Sequence, residues 1–301
     1  NADYLAKLKK KNKQTDIDEY EKDIKQYNDN IQSIASTYVK LAKDVVYKTM
    51  GQIVQMPVEE RNKYSFLVYD RANSPQYTAI NYDFYASKPK KLQAMADSYS
   101  DGIHFDVTDP KYKGPPEYRV LNLFIKNYKD DETQGFAMAT LPHIVPSKGE
   151  LAYALLVMRL RLTNIEKHVK VTMKLAREQW KKNIQRIPTL TLLVRSNEVA
   201  QTLTPTLFKS IYPYNFKFVT DEEFDKAFLD KDSSVCCLFI TPLALMPGYI
   251  KTSLKYRQVI TDPSTGQDLL YNEGSVYVGE IGGGGYNVIT DKNIKDIAGQ
   301  I

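Results

Sequence analysis

Five polar residues in the last third of the chain follow predicted strands, at the edge where an open α/β sheet binds its ligands. They are Ser196 and Asn197 after the first strand, Thr220 and Asp221 after the second, and Thr241 after the third. The carboxyl ends of parallel strands meet at one edge, which is the usual ligand site of such folds. These side chains could bind a small polar molecule there. They are also residue types that cap helices, and helix capping alone would account for them.

A second group, Asp101, His104 and Asp106, has spacing that suits a metal ion. On a strand His104 and Asp106 would share a face, and imidazole with carboxylate is a ligand set for zinc. A metal-dependent hydrolase would need a further ligand, which the sequence does not identify. The other histidines, His143 and His168, lie far along the chain, so a His-based triad is not indicated. A hydrogen-bonded surface histidine is the simpler interpretation, and we predict no bound metal and no cofactor.

Two further motifs have ordinary structural explanations. Gly282–Gly285 could hold an anion through backbone amides, but the Lys and Ser or Thr of a P-loop do not follow it, so a turn is expected. Cys236 and Cys237 are neighbours, with Cα atoms ~3.8 Å apart, below the usual disulfide range of about 4.4–6.8 Å. We expect them to be core residues on opposite faces of a strand.

The elements that must position these groups begin with an apolar stripe near the N-terminus. Between Ile17 and Thr49 apolar side chains recur at alternating steps of three and four, which predicts a long helix burying a narrow seam. Lysines crowd residues 7–13 ahead of it, either as a frayed lead-in or as a contact to an anionic membrane surface. The same spacing from Glu150 to Ile187 predicts a second helix, either continuous or broken near Thr163, although 158–175 also alternates like strands. We expect the two helices to pack antiparallel.

We divide the chain into four predicted segments. They are a basic tail and long helix over 1–60, a β-rich region over 61–146, a long or broken helix over 147–187, and an α/β module over 188–301. In the β-rich region we predict a strand over Tyr77–Tyr85 and a hairpin across the polar segment Lys129–Gln134. Ser147 and Glu150 have the spacing of a capping box at the start of the second long helix. In the module, strand, helix, strand, helix and strand imply a parallel sheet, and Asn197 is expected to cap the first of these helices. A trailing hairpin turns at Asp262–Gly266, a further strand is expected from Val276, and Asp291 is expected to cap a short closing helix. The fold class predicted is α/β, α+β overall, with a mixed sheet.

This order of elements, with Thr265 and Gly266 at the hairpin tip, resembles the curli secretion lipoprotein and the N-terminal domain of the Tol-Pal translocation protein. The resemblance covers residues 188–298, and residues 1–187 have no counterpart in it. It implies a non-enzymatic role in bacterial envelope assembly. It also implies a periplasmic or extracellular location, with attachment to the outer membrane as a lipoprotein among the options.

Composition agrees with a globular protein, at 43% hydrophobic and 26% charged residues with a net charge of +5. Outside the N-terminal tail basic and acidic residues are mixed, so nucleic-acid binding is not predicted. No apolar run approaches the roughly 20 residues of a membrane span. We predict a secreted or periplasmic, non-enzymatic protein that binds a protein partner, and a homodimer if the helical seam is left exposed. The alternatives are a small-molecule binder at the carboxyl edge of the C-terminal sheet and a metal-dependent hydrolase.

Overall fold

The computed structural model describes eleven stretches of the chain. They are residues 2–38, 43–48, 52, 55–61, 63–71, 121–129, 132–143, 145–167, 173–246, 253–277 and 288–301. Helices pack there against a three-stranded and a five-stranded sheet, which confirms the α/β class. Asp101, His104, Asp106, His168 and Gly282–Gly285 lie outside the described residues. None of the described helices has the length and apolar character needed to cross a membrane.

The N-terminal region is a pair of helices instead of one. They are α1, Ala2–Lys10, and α2, Gln14–Tyr38. Asn12, with a φ of 51°, lies in the turn between them, and α1 packs against α2 with Leu8 and Ile17 both buried. The predicted lead-in is therefore a packed helix. The predicted extension of the long helix to Thr49 is wrong, because residues 44–48 are not helical.

The first sheet contains the predicted hairpin. Its strands are β1, Ser65–Arg71, β2, Leu121–Lys129, and β3, Glu132–Thr140, preceded by the short helix α3, Val58–Arg61. They pair antiparallel in the order β1-β2-β3. The hairpin is confirmed, but its strands run closer to the turn than the polar sequence between Lys129 and Gln134 indicated. The strand predicted over Tyr77–Tyr85 lies outside the described residues.

The second apolar stripe forms two helices, which are α4, Lys148–Glu166, and α5, Met173–Arg186. The helical interpretation is thus confirmed for 158–166 and 173–175, and helix α4 continues past the predicted break at Thr163. Every residue from Leu151 to Leu156 is buried, because α4 packs against α2, β3 and the C-terminal module. The first part of α4 is therefore enclosed on all sides and has no narrow seam, in contrast to the stripe expected from the sequence, whereas Arg159 and Leu160 beyond it are exposed.

The five-stranded sheet has the predicted mixed topology. Its strands are β4, Thr191–Arg195, β5, Phe216–Val219, β6, Val235–Met246, β7, Ser253–Asp262, and β8, Gln267–Tyr277. Their order is β5-β4-β6-β7-β8, with β4 parallel to β5 and β6 and the remaining pairs antiparallel. The strand predicted to start separately at Val276 is the end of β8.

Three helices complete the module. They are α6, Pro205–Ile211, α7, Asp221–Leu229, and α8, Asp291–Ala298. The helix predicted to follow Asn197 begins only at Pro205, where the Thr204 hydroxyl accepts a hydrogen bond from the Leu207 amide. Likewise Thr290, one residue before the predicted Asp291, caps α8. In both cases a threonine supplies the cap that the adjacent turn geometry requires.

Alternate residues of the central strands enter two different cores. Leu193, Cys237 and Phe239 pack in the core that contains α4 and α7, and Leu192 and Cys236 in the core that contains α6. The prediction that the two cysteines lie on opposite faces is confirmed. Helices α6 and α7 therefore cover opposite faces of the sheet, and the strand order reverses at β4. The carboxyl end of β4 is the position where such sheets usually bind ligands.

Candidate functional site

An arginine, Arg195, ends strand β4 at this position and is only 2% exposed. Its Nη1 donates hydrogen bonds to Glu150 Oε1 at 2.5 Å and to Glu198 Oε1 at 2.9 Å. A buried cation is tolerated only with such charged partners. We refer to Arg195, Glu150, Glu198, His143, Asp221 and Asp225 as the Arg195 network.

Helix α4 supplies Glu150 through the capping box that the sequence predicted. The Ser147 amide donates to Glu150 Oε2 at 3.1 Å, and the Glu150 amide donates to Ser147 Oγ at 3.2 Å. One carboxylate oxygen of Glu150 thus caps the helix while the other binds Arg195. The Ser147 hydroxyl also donates to Asp225 Oδ1 of α7 at 2.6 Å. These bonds fix the N-terminus of α4 at the carboxyl edge of the sheet.

His143 bridges the two buried glutamates at the partly exposed rim of the network. Its Nδ1 lies 2.5 Å from Glu150 Oε1, and its Nε2 lies 3.4 Å from Glu198 Oε1. Burial lowers the pKa of His143, but the two carboxylates raise it by more, so the net direction is upward. A charged imidazole is the form that these contacts favour.

The two glutamates respond differently to the same guanidinium. Burial alone would raise the pKa of Glu150, but Arg195 and His143 outweigh it and hold that pKa at about 2. Burial also raises the pKa of Glu198, and Arg195 offsets only part of that rise. Glu150 receives hydrogen bonds from both cations, which explains why its charged form is the better stabilised one.

Helix α7 flanks the other side of the guanidinium. Asp221 Oδ1 lies 3.4 Å from Arg195 Nε, and Asp225 Oδ1 lies 3.7 Å from Nη2. Both nitrogens are buried and have no hydrogen-bond partner among the described residues. The guanidinium carbon lies 4.3 Å from the centroid of the Phe224 ring, a cation–π distance. The guanidinium therefore has carboxylates near all three of its nitrogens, but only Nη1 donates hydrogen bonds to them.

The five residues predicted as ligand contacts are engaged within the protein. Thr220 caps α7 in a capping box with Glu223, and the Ser196 hydroxyl donates to the Val219 carbonyl at 3.0 Å. Thr241 is buried and its hydroxyl lies 3.5 Å from the Arg257 carbonyl. The capping alternative is correct for Thr220.

Four of the five residues are exposed, and two of these, Asn197 and Asp221, contact each other. Asn197 Nδ2 donates to Asp221 Oδ2 at 2.9 Å, so the structure joins these two residues across the ends of neighbouring strands. Asn197 caps no α-helix, since it lies in the short 3-10 turn Ser196–Glu198.

Sequence reasoning missed Arg195 and Glu198 and gave Glu150 only its capping role. One signal was present: Arg195 closes an apolar strand, and a charge in that position requires a buried partner. Glu198, three residues later, is such a partner. His143, Glu150 and Asp225 come from distant parts of the chain, and no local pattern brings them together.

The Arg195 guanidinium fills the space between the four carboxylates of the network. Among the described residues no three His, Cys, Asp or Glu side chains are arranged to hold a metal ion. Burial raises the pKa of the Cys236 thiol to about 12, so the thiolate is strongly disfavoured there. No family model, no curated protein and no solved structure matches the chain. Function is therefore inferred from the contacts described above.

Proposed function

We propose that the protein is a non-enzymatic binding protein of the bacterial envelope or secreted fraction, and that its partner is another protein. The observation that carries this proposal is that α4 fills the ligand edge of the sheet. Glu150 accepts the hydrogen bond from Arg195 Nη1 that a ligand carboxylate could otherwise accept, and the Ser147 hydroxyl donates to Asp225. A ligand at this edge would have to separate a buried ion pair, at a cost of about 3–5 kcal/mol.

The β-strands on the other side of the module extend away from this filled edge. Leu193 pairs with Cys237, so Phe239 is level with Arg195, and β6 continues from there to Met246. At about 3.3 Å per residue this extension is roughly 20 Å long. Strands β7 and β8 pair along it, forming a three-stranded ribbon. Extended ribbons with an outer strand offer backbone hydrogen bonds to a protein partner.

The resemblance to envelope assembly proteins supports the same proposal. The order of strands and helices on which the resemblance rests is present in the structure, including the hairpin turn at Asp262–Gly266. Order of elements implies no mechanism by itself, so the location in the envelope is a separate part of the proposal. Cell fractionation tests it, and a purely cytosolic pool would contradict it.

One observation favours the alternative of a small polar ligand at the carboxyl edge. Arg195 Nε and Nη2 are buried and have no hydrogen-bond partners among the described residues. A ligand with oxygen atoms could accept hydrogen bonds from these two nitrogens. A thermal-shift screen with nucleotides, sugars and divalent cations separates the two functions. A compound that raises the melting temperature of the wild type, but not of Asp221→Asn, would favour the alternative.

Site-specific photocrosslinking in the producing cells tests protein binding directly. A benzophenone side chain replaces Tyr47, Leu207 or Tyr271, one at a time. All three are exposed, and they lie after α2, on α6 and on β8 respectively. We expect a discrete adduct at one or two positions and none at the others. An adduct of twice the chain's own mass would identify a second copy as the partner. Failure at all three positions, or the same ladder of products at each, would contradict the proposed function.

A further inference from the structure

Helix α5 carries exposed basic side chains on the surface of the described protein. Lys174, Arg177, Lys181 and Lys182 are all exposed, and Glu178 is the one acid among them. Spacings of three and four residues place Lys174, Arg177 and Lys181 on one face of the helix. Within the described residues no ion pair engages any of the four, so their charge is available to a partner.

An aromatic pair adjoins this basic row. The ring of Trp180, the only tryptophan of the chain, packs edge-on against Tyr271 of β8 at a centroid distance of 4.6 Å. Tyr271 is 42% exposed, and the Arg257 guanidinium lies 4.6 Å from its ring centroid. Trp, Tyr and Arg are the residue types that most often carry the binding energy of protein interfaces.

Two polar contacts fix α5 to the hairpin. Asn183 Nδ2 donates to the Asp268 carbonyl at 2.9 Å, and Arg186 pairs with the Asp262 carboxylate at 2.7 Å. Helix α5 is thereby held against β8. Strand β8 is the outermost strand of its sheet and pairs with β7 alone among the described strands. The outer strand and the helix that carries the basic row are therefore neighbours.

We infer that this α5–β8 surface, made of Lys174, Arg177, Lys181, Lys182, Trp180 and Tyr271, binds an acidic, extended segment of a protein partner. The segment adds alongside β8, and its carboxylates face the basic row of α5. This inference rests on the proposed function and names the surface and the chemistry of the partner.

A protein segment fits this surface better than a nucleic acid does. Single-stranded nucleic acids stack their bases on free aromatic faces, whereas the Tyr271 ring is contacted by both Arg257 and Trp180. An anionic membrane would use the cations without any need for an outer strand. The outer strand is the feature that a peptide backbone specifically recognises.

The fluorescence of Trp180 reports binding at the surface itself, because no other tryptophan contributes. Poly-L-glutamate is the probe, titrated at low salt into the full chain. We expect a saturable change in Trp180 emission, and roughly tenfold weaker binding by the triple variant Lys174→Gln, Arg177→Gln, Lys181→Gln. Tyr271→Ala should weaken binding as well.

The chain offers a matched control in α1 and the turn after it. The variant Lys9→Gln, Lys10→Gln, Lys11→Gln loses the same three charges at exposed positions. It should bind poly-L-glutamate within about twofold of the wild type. Equal weakening by both triple variants would show that only net charge matters and would overturn the inference.

Two competing probes and the crosslinking positions complete the test. Tighter binding of a single-stranded DNA oligonucleotide or of phosphatidylserine vesicles than of poly-L-glutamate would also overturn the inference, as would unchanged Trp180 emission. In the crosslinking experiment, an adduct at Tyr47 or Leu207 but not at Tyr271 would overturn this surface while leaving the proposed function intact.

Discussion

Replacing Arg195 by methionine removes the cation from the centre of the Arg195 network while keeping much of its volume over Phe224. In the wild type the guanidinium bonds to Glu150 and Glu198, and Glu150 is only 1% exposed. Each hydrogen bond to a charged group contributes about 1.5–3 kcal/mol. Removing one partner of a buried ion pair costs about 3–5 kcal/mol, because the other charge stays buried. We therefore expect the free energy of unfolding to fall by about 3–5 kcal/mol.

The assay is urea unfolding at pH 7, followed by far-UV circular dichroism for Arg195→Met, Glu150→Gln and the double variant. Glu150→Gln neutralises the carboxylate that Arg195→Met leaves unpaired, so the double variant should be more stable than Arg195→Met alone. The cycle isolates the coupling of the two side chains. A loss below about 1 kcal/mol in Arg195→Met would show that the buried glutamates do not depend on the Arg195 charge. A double variant no better than the single one would assign the loss to packing over Phe224.

The pH dependence gives the same test a second readout. The folded pKa of Glu150 is about 2, against an ordinary value of 4.5, since Arg195 and His143 overcome the effect of burial. A depressed folded pKa contributes stability that is present above the unfolded pKa and is lost as the pH falls through the folded one. The stability difference between wild type and Arg195→Met should therefore shrink as the pH falls from about 5 toward 2. A difference that is constant over this range would contradict the assignment.

Three further predictions concern His143, helix α2 and the two cysteines. The pKa of His143 is raised in the folded protein, because the neighbouring carboxylates outweigh the effect of burial. The stability that His143 contributes is therefore present below pH 6.5 and is lost as the pH rises. Urea midpoints measured from pH 6 to 9 should fall less in His143→Gln than in the wild type. Ile31→Asp should lower the free energy of unfolding by about 3 kcal/mol or more, whereas Ile24→Asp on the same helix should cost less than about 1 kcal/mol, because the two side chains are 7% and 39% exposed. Equal midpoints for these two variants in urea would contradict the packing of α2. Cys236 and Cys237 are fully buried, so iodoacetamide at pH 8 should label them only after unfolding, and mass spectrometry of native protein showing two adducts would contradict that.

The elements that the sequence predicted correctly are those whose signals are local. Strands β4, β5 and β6 each read as a short apolar run, and the hairpin turn at Asp262–Gly266 has the expected residues. The capping box of Ser147 and Glu150 was equally legible, because both partners lie within one helical turn. The predicted ends of helices were wrong where tertiary packing decides where the helix ends. The first long helix stops at Tyr38 although the apolar spacing continues, and the sequence contains no sign that α1 would cover its beginning.

The candidate site, in contrast, depends mainly on contacts between residues that are far apart in the sequence. Topology placed Ser196 and Thr220 correctly, just after the ends of β4 and β5, whereas Thr241 lies within β6, which continues to Met246. The hydroxyl of each of the three is engaged by a nearby backbone group. The charged centre depends on Glu150 and Asp225 meeting Arg195 across distances of 45 and 30 residues in the sequence. Such a meeting follows from tertiary packing, which periodicity and spacing along one chain do not encode.

The Arg195 network has a structural consequence that an apolar contact would not have. Apolar side chains of similar volume could join α4 to the sheet with equal or greater stability, since buried ion pairs are costly to desolvate. Hydrogen bonds are directional, however, and Glu150 can cap α4 and bind Arg195 together only in one orientation of the helix. The network therefore fixes how α4 meets the module. Because the network also fills the crevice where a ligand would bind, the protein recognition that we propose would use the outer surfaces. Among the described residues, α5 beside β8 combines exposed positive charge, an aromatic anchor and an outer strand.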